Sequence, residues 1–150
     1  MQTGDRQYFE DIQVGDEYQS PGRTVTEADI VAFAGLSGDY NVIHTDAEFM
    51  KTSIFGERIA HGLLGLAIQS GLGTRAMPRP FATIAFLEVR WRFKGPIKIG
   101  DTIKVRIKVG EKRETSKPDR GVVVLQRSVL NQRGEVVQEG ETDIMVERRR

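Results

Sequence analysis

The sequence predicts an α+β protein in which an antiparallel β-sheet wraps around one long central helix. Three observations predict it. An uncharged run of 16 residues extends from Ile59 to Thr74. It is shorter than the roughly 20 residues that cross a bilayer and suits a helix buried inside a globular protein. Beyond residue 80 the hydrophobic period becomes two, the mark of strands with one apolar face. Short turns join these strands, which favours antiparallel pairing. At 150 residues the chain has the length of one domain, expected to cover 1–150.

Each element has its own signal. Glu17 to Thr26 can form an edge strand, weakened by Pro21 because proline donates no ladder bond. Thr26-Glu27-Ala28-Asp29 opens a helix, with a capping hydroxyl and acids at the positive end of the dipole. Ile30, Phe33 and Ala34 follow at helical spacing, and the stretch from Gly35 to Gly38 ends it. Thr45 or Asp46 caps a second, short helix through Phe49 and Met50. The third runs from about Gly62 to Arg75, and Pro78 and Pro80 stop it. Leu87, Val89, Trp91 and Phe93 then alternate with Glu88, Arg90, Arg92 and Lys94 up to Gly95-Pro96. Trp91 and Phe93 are expected in the core. Ile103, Val105, Ile107 and Val109 mark a second strand, and Val122 to Leu130 a third. Asn131 to Gly134 is a turn, and Thr142, Ile144 and Val146 mark a fourth strand.

Composition narrows the function. The chain has no cysteine, which removes disulfides, thiolate catalysis and cysteine metal sites. The net charge of +1 gives no nucleic-acid bias, and Lys104, Arg106 and Lys108 read as a solvated sheet face. Met1 to Arg6 contains no apolar run, so no export signal is expected and the cytoplasm is the expected compartment. The charge is divided unevenly. Residues 1–50 carry ten acids and two arginines, whereas residues 51–150 carry eleven acids and twenty bases.

Both histidines, His44 and His61, lie before the strands, near the start of the long helix. Asp39 and His44 sit five residues apart in a loop rich in turn formers, Ser37, Gly38, Asp39 and Asn41. Such a loop can bring a carboxylate and an imidazole onto one small molecule such as water. Spacing alone favours the plainer alternative, in which Asp39 caps the turn and His44 bonds to backbone. Gly62 stands where a helix start offers unpaired N–H groups to a ligand carbonyl. His61 is expected only to cap that helix.

Ser37-Gly38-Asp39-Tyr40-Asn41-Val42-Ile43-His44-Thr45-Asp46, followed by Ile59-Ala60-His61-Gly62, resembles the two-part signature of MaoC-like dehydratases, the (R)-specific enoyl-CoA hydratases. Gly62 follows His44 by 18 residues, which fits the family's spacing. The resemblance covers nearly the whole chain and implies a hot-dog fold. It implies that Asp39 and His44 are the catalytic pair activating water for addition to a 2-enoyl-CoA. It also implies that the Gly62 N–H polarises the thioester carbonyl and that Asn41 supports the loop or ligand. Ser70 is a further candidate for supporting the dyad or lining the pocket. No cofactor is implied beyond the coenzyme A of the acyl-CoA substrate, and no metal. The family usually has proline where Val42 stands, and valine restrains the loop less. A hot-dog thioesterase or a dehydratase for carrier-protein substrates commonly has an Asp or Glu on the central helix. This chain has none between Arg58 and Arg75. A non-catalytic acyl-CoA-binding or regulatory module would not need both members of the dyad. One hot-dog unit leaves a sheet edge and a helix face uncovered, and the resemblance implies a homodimer. Arg90, Arg92 and Lys94 could meet the CoA phosphates or form an ordinary polar face.

Overall fold

The computed structural model describes residues 5–149, so the first four residues of the segment read for an export signal lie outside it. In chain order the elements are β1 (Glu17–Gln19), β2 (Arg23–Thr24), α1 (Glu27–Ser37), α2 (Val42–Thr45), α3 (Ala47–Met50), α4 (Gly62–Ala76), β3 (Thr83–Phe93), β4 (Thr102–Glu114), β5 (Arg120–Leu130) and β6 (Val136–Glu147). The expected edge strand is split around Pro21 into β1 and β2, and both pair with β4.

The sheet order is β1-β4-β5-β6-β3 and every pairing between these strands is antiparallel. Val105 lies opposite Val129 and Leu125 opposite Thr142. The alternation read from sequence therefore puts Val105, Ile107, Val109, Val123, Leu125 and Ile144 in the core with Leu64, Ile68 and Leu72 of α4. This is the hot-dog arrangement, a sheet around a central helix. At about 25 cal/mol per Å² of apolar surface, each such aliphatic side chain contributes roughly 1.5–3 kcal/mol on burial.

Two glycines set how closely α4 approaches the sheet. A Cβ at Gly65 would collide with the Gln138 amide and with Ile97 Cδ1 (2.7 Å), and one at Gly73 would collide with the Arg127 guanidinium. The helix is therefore seated on polar side chains of β5 and β6 as well as on aliphatic ones. Arg127 is buried there, with Nε–H donating to Thr142 Oγ1 (2.9 Å) and Nη1–H to Gln69 Oε1 (3.2 Å). Burial pushes its guanidinium down to about 10.

Two expectations need correction. The long helix is buried on one face only: Leu63 is 60% exposed, and Ala67 and Ser70 also face outward. Phe93 is 54% exposed, with Leu87 and Val89 also exposed, while Trp91 is half-buried. The reason is topological. β3 ends the sheet, so α4 covers its apolar side only in part.

The outer sheet face is charged, as the alternation predicts, but it is not uniformly solvated. Asp143 is buried, held by Arg90 Nη2 at 2.7 Å and Arg113 Nη2 at 2.6 Å. Arg90 also meets Glu141 and Glu88.

Candidate active site

The loop after α1 is folded by its own short polar side chains. Thr26 and Asp29 form the reciprocal cap at the start of α1, and Gly38 ends the helix at φ 75°, a left-handed conformation that favours glycine. Ser37 Oγ donates to Phe33 O (2.7 Å) and accepts from the Asp39 N–H (3.1 Å). Asp39 Oδ1 accepts from the Asn41 N–H (3.1 Å), and Asn41 Oδ1 accepts from the Ile43 N–H (3.2 Å). Asn41 thereby caps α2, an element the hydrophobic pattern does not reveal because four residues carry no period. The signal that could have found it is Asp-x-Asn, two residues that each bond backbone two positions on. Asp46, not Thr45, caps α3 through the Phe49 N–H.

α2 carries His44 inward, where it is 6% exposed. Its Nδ1 lies 2.7 Å from Ile59 O. A carbonyl only accepts, so Nδ1 holds the proton and Nε2 of the neutral ring is an acceptor. That Nε2 faces Asp39 Oδ2 at 3.9 Å. The separation is too long for a hydrogen bond, but one water oxygen about 2.8 Å from each atom spans it. The Asp39 side chain is half exposed while His44 is enclosed, so the pair opens outward on the carboxylate side.

The segment Ile59–Gly62 forms the other wall. The Ile59 N–H donates to Ile43 O (3.1 Å) and the Ala60 N–H to Ile97 O (2.7 Å), which tie the start of α4 to the His44 segment and to the chain before β4. Gly62 is the first residue of α4. Among the described residues its N–H has no hydrogen-bond partner, so it is a free donor at the positive end of the helix. The Phe93 ring occupies the space a side chain at 62 would need, with Cδ1 2.8 Å from the Cβ position. Gln138 Nε2 donates to Gly62 O (2.9 Å) and its Oε1 accepts from Trp91 Nε1 (3.0 Å). β3 and β6 thus fix the first turn of α4.

His61 does not do what sequence suggests. It occupies the N-cap position, yet its side chain makes no capping bond. Its Nε2 instead bonds Asp39 O (2.9 Å), and its ring stacks on that of His44 with centroids 3.8 Å apart and planes at 26°. Sequence reasoning missed this because the contact joins residues 22 positions apart.

Asp39, His44, Asn41 and Gly62 are thus carried by two mutually bonded segments. Ser70 is not brought to them: it is exposed on α4 and donates to Ala67 O (2.8 Å). Asp39, His44 and His61 offer ligand atoms within 4.8 Å of one another, but stacked imidazoles direct their lone pairs along nearly parallel planes, which suits one metal ion poorly. The strand cations are engaged elsewhere. Arg92 and Lys94 both meet Glu139 (3.6 and 3.1 Å), and Arg90 has three carboxylates. Arg90 and Arg92 line an open depression of about 830 Å³ on the outer sheet face that neither Asp39 nor His44 borders. No described helix is long and apolar enough to cross a membrane.

Known proteins share both the sequence and the shape. The family model described as MaoC like domain matches residues 11–130. An (R)-specific enoyl-CoA hydratase of Rhodospirillum rubrum is 39% identical over 140 residues, 93% of this chain and 91% of that protein. Protein MaoC of Klebsiella aerogenes is 47% identical over 115 residues, 77% of this chain but 33% of its own length, so the chain spans about a third of that relative. The solved structure described as a monoamine oxidase regulatory protein from Archaeoglobus fulgius superposes with a TM-score of 0.92 at 37% identity, covering 100% of both chains. The chain belongs to the MaoC-like domain family.

Proposed function

We propose that the chain is a hydro-lyase that adds water across the double bond of a trans-2-enoyl-CoA, giving (R)-3-hydroxyacyl-CoA, and catalyses the reverse dehydration. The observation that carries this reading is the pair of acceptors, Asp39 Oδ2 and His44 Nε2, 3.9 Å apart, joined through Ile59 and His61 to a free N–H at Gly62. The names of relatives from Rhodospirillum rubrum and Aeromonas caviae, both (R)-specific enoyl-CoA hydratases, support it and supply the stereochemistry.

The steps follow from the groups present. One water donates its two hydrogens to Asp39 and His44, which orients its lone pair toward C3 of the enoyl group. As the C3–O bond forms, the dyad takes one proton and the C2–C3 π electrons move into the thioester, leaving an enolate oxygen. The Gly62 N–H, reinforced by the helix dipole, stabilises that oxygen by about 3 kcal/mol. The proton then passes from the dyad to C2, and the elements of water have been added. Asn41 keeps the Asp39 loop in register. No cofactor beyond the substrate's own coenzyme A is needed, because no redox or group-transfer step occurs. A thioesterase is disfavoured by the lack of any carboxylate on α4.

The exposed apolar side of β3, with Phe86, Leu87 and Phe93, and the outward face of α4 support a homodimer formed through these surfaces. Light scattering is expected to give twice the chain mass or a multiple of it. The activity is tested by the loss of enoyl-thioester absorbance with crotonyl-CoA and its longer and branched homologues, followed by chiral analysis of the product. Hydration to the (R) product supports the reading. Binding of acyl-CoA without turnover would instead make the chain a binding or regulatory module.

A further inference from the structure

His61 stands outside the chemistry assigned above, yet it touches every part of it. It is 2% exposed. Its Nε2–H donates to the main-chain carbonyl of Asp39 at 2.9 Å, which makes Nδ1 the lone-pair nitrogen. That Nδ1 is buried with no partner among the described residues. One ring face lies against His44 at 3.8 Å, and the ring also packs against Phe33 of α1 with centroids 4.9 Å apart. Its own peptide carbonyl is joined to the nitrogen of Gly62.

A helix-capping histidine would direct an acceptor at the N–H groups of the first turn, and this one does not. A core histidine retained only for packing would be replaceable by an aromatic hydrocarbon without leaving a lone pair buried and unpaired, a feature that costs about 1–3 kcal/mol. The side chain tolerates that cost while spending its one N–H on the backbone of the residue proposed to hold the water. Asp39 has no other direct polar link to the start of α4 among the described residues.

We infer that His61 is a positioning residue for the hydration reaction: its N–H fixes the Asp39 main chain, its ring fixes the plane of His44, and its peptide fixes the Gly62 donor. This rests on the function proposed above. A displacement of about 1 Å in such a constellation can cost on the order of 10²-fold in rate, so loss of His61 is expected to lower kcat by between about tenfold and a hundredfold.

The test separates the two contacts. His61→Phe keeps a flat ring against His44 and removes the donor. His61→Gln keeps an N–H near the position of Nε2 and removes the ring. Product binding by calorimetry counts competent sites, so kcat is expressed per binding site and partial unfolding is corrected for. The expected result for His61→Phe is a fall in kcat of tenfold or more with KM for crotonyl-CoA within about threefold, and for His61→Gln a partial recovery of kcat over His61→Phe. Long-range 1H–15N spectra of His44 give a readout that needs no turnover: the Nδ1–H tautomer dominates in the wild type, and the other tautomer gains population in His61→Phe as the ring is released. Unchanged kcat per site and an unchanged His44 tautomer in His61→Phe would overturn the inference. Equal losses in both variants that track their melting temperatures would also overturn it, leaving a packing role. A wild type inactive on every enoyl-CoA would remove the hydratase reading, while the spectra would still decide whether His61 holds His44.

Discussion

Gly65→Ala is a severe test of how α4 is seated. The new methyl carbon would lie 2.7 Å from Ile97 Cδ1 and 2.9 Å from Gln138 Cδ, and closer still to Gln138 Nε2. Contacts of this kind force side chains off their rotamers at about 1–3 kcal/mol. Gln138 is 2% exposed and has no room to retreat without breaking its bonds to Gly62 O and Trp91 Nε1. Each buried polar group left unpaired adds about 1–3 kcal/mol. Against this, alanine is a better helix former than glycine by about 1 kcal/mol. The balance is a loss of about 2–4 kcal/mol, which for a domain of this size lowers Tm by roughly 5–12 °C. Urea and thermal unfolding followed by circular dichroism measure it. The double variant Gly65→Ala/Gln138→Ala removes the partner of the collision and is expected to be less destabilised than the two single changes added together. Strict additivity, or a Gly65→Ala protein as stable as the wild type, would refute the claim that α4 rests on Gln138.

Three further outcomes follow from other parts of the molecule. Asp143→Asn leaves Arg90 and Arg113 facing a neutral amide. Because both arginines are nearly half exposed, solvent screens part of the loss, and destabilisation of about 2 kcal/mol is expected in urea titrations. Arg127→Met removes a buried cation that has no carboxylate partner among the described residues but orphans both Gln69 and Thr142, so it is expected to lose about 2 kcal/mol, whereas Arg127→Met/Gln69→Leu/Thr142→Val is expected to recover most of that loss. Treatment with a chelator is expected to leave hydration of crotonyl-CoA unchanged, and loss of activity restored by a divalent ion would contradict a metal-free dyad.

The parts legible in the sequence are those with a period. Alternation from Leu87 to Val146 and the uncharged run after Arg58 announce four strands and the central helix, because each must bury one face repeatedly. The capping box of Thr26 and Asp29 was legible because it is local. Burial of β3 was misjudged: alternation tells which side of a strand is apolar, but whether α4 covers that side depends on strand order. The loop of Asp39 and His44 was legible from residue types, and its geometry was not, since the 3.9 Å separation is set by His61 and Ile59, residues 15 to 22 positions away. Ser70, a candidate for supporting the dyad or lining the pocket, lies about two turns beyond Gly62 on the exposed face of α4. The acidic first third contains Asp29, Asp39 and Asp46, each with a local backbone bond to make. Several bases of the remainder, Arg90, Arg92 and Lys94 among them, are paired on the outer sheet face. Caps and sheet pairs thus account for part of the charge division.

The measurement that bears most directly on the account is hydration of crotonyl-CoA by Asp39→Asn, with product binding recorded on the same preparation. The side chain remains the same size and can still accept the Asn41 N–H, so the loop is expected to stand. What is lost is one of the two acceptors that hold and deprotonate the water. The predicted result is a fall in kcat of at least about 10²-fold with product affinity and Tm close to wild type. A wild-type rate in Asp39→Asn would contradict the dyad and, with it, the proposed chemistry.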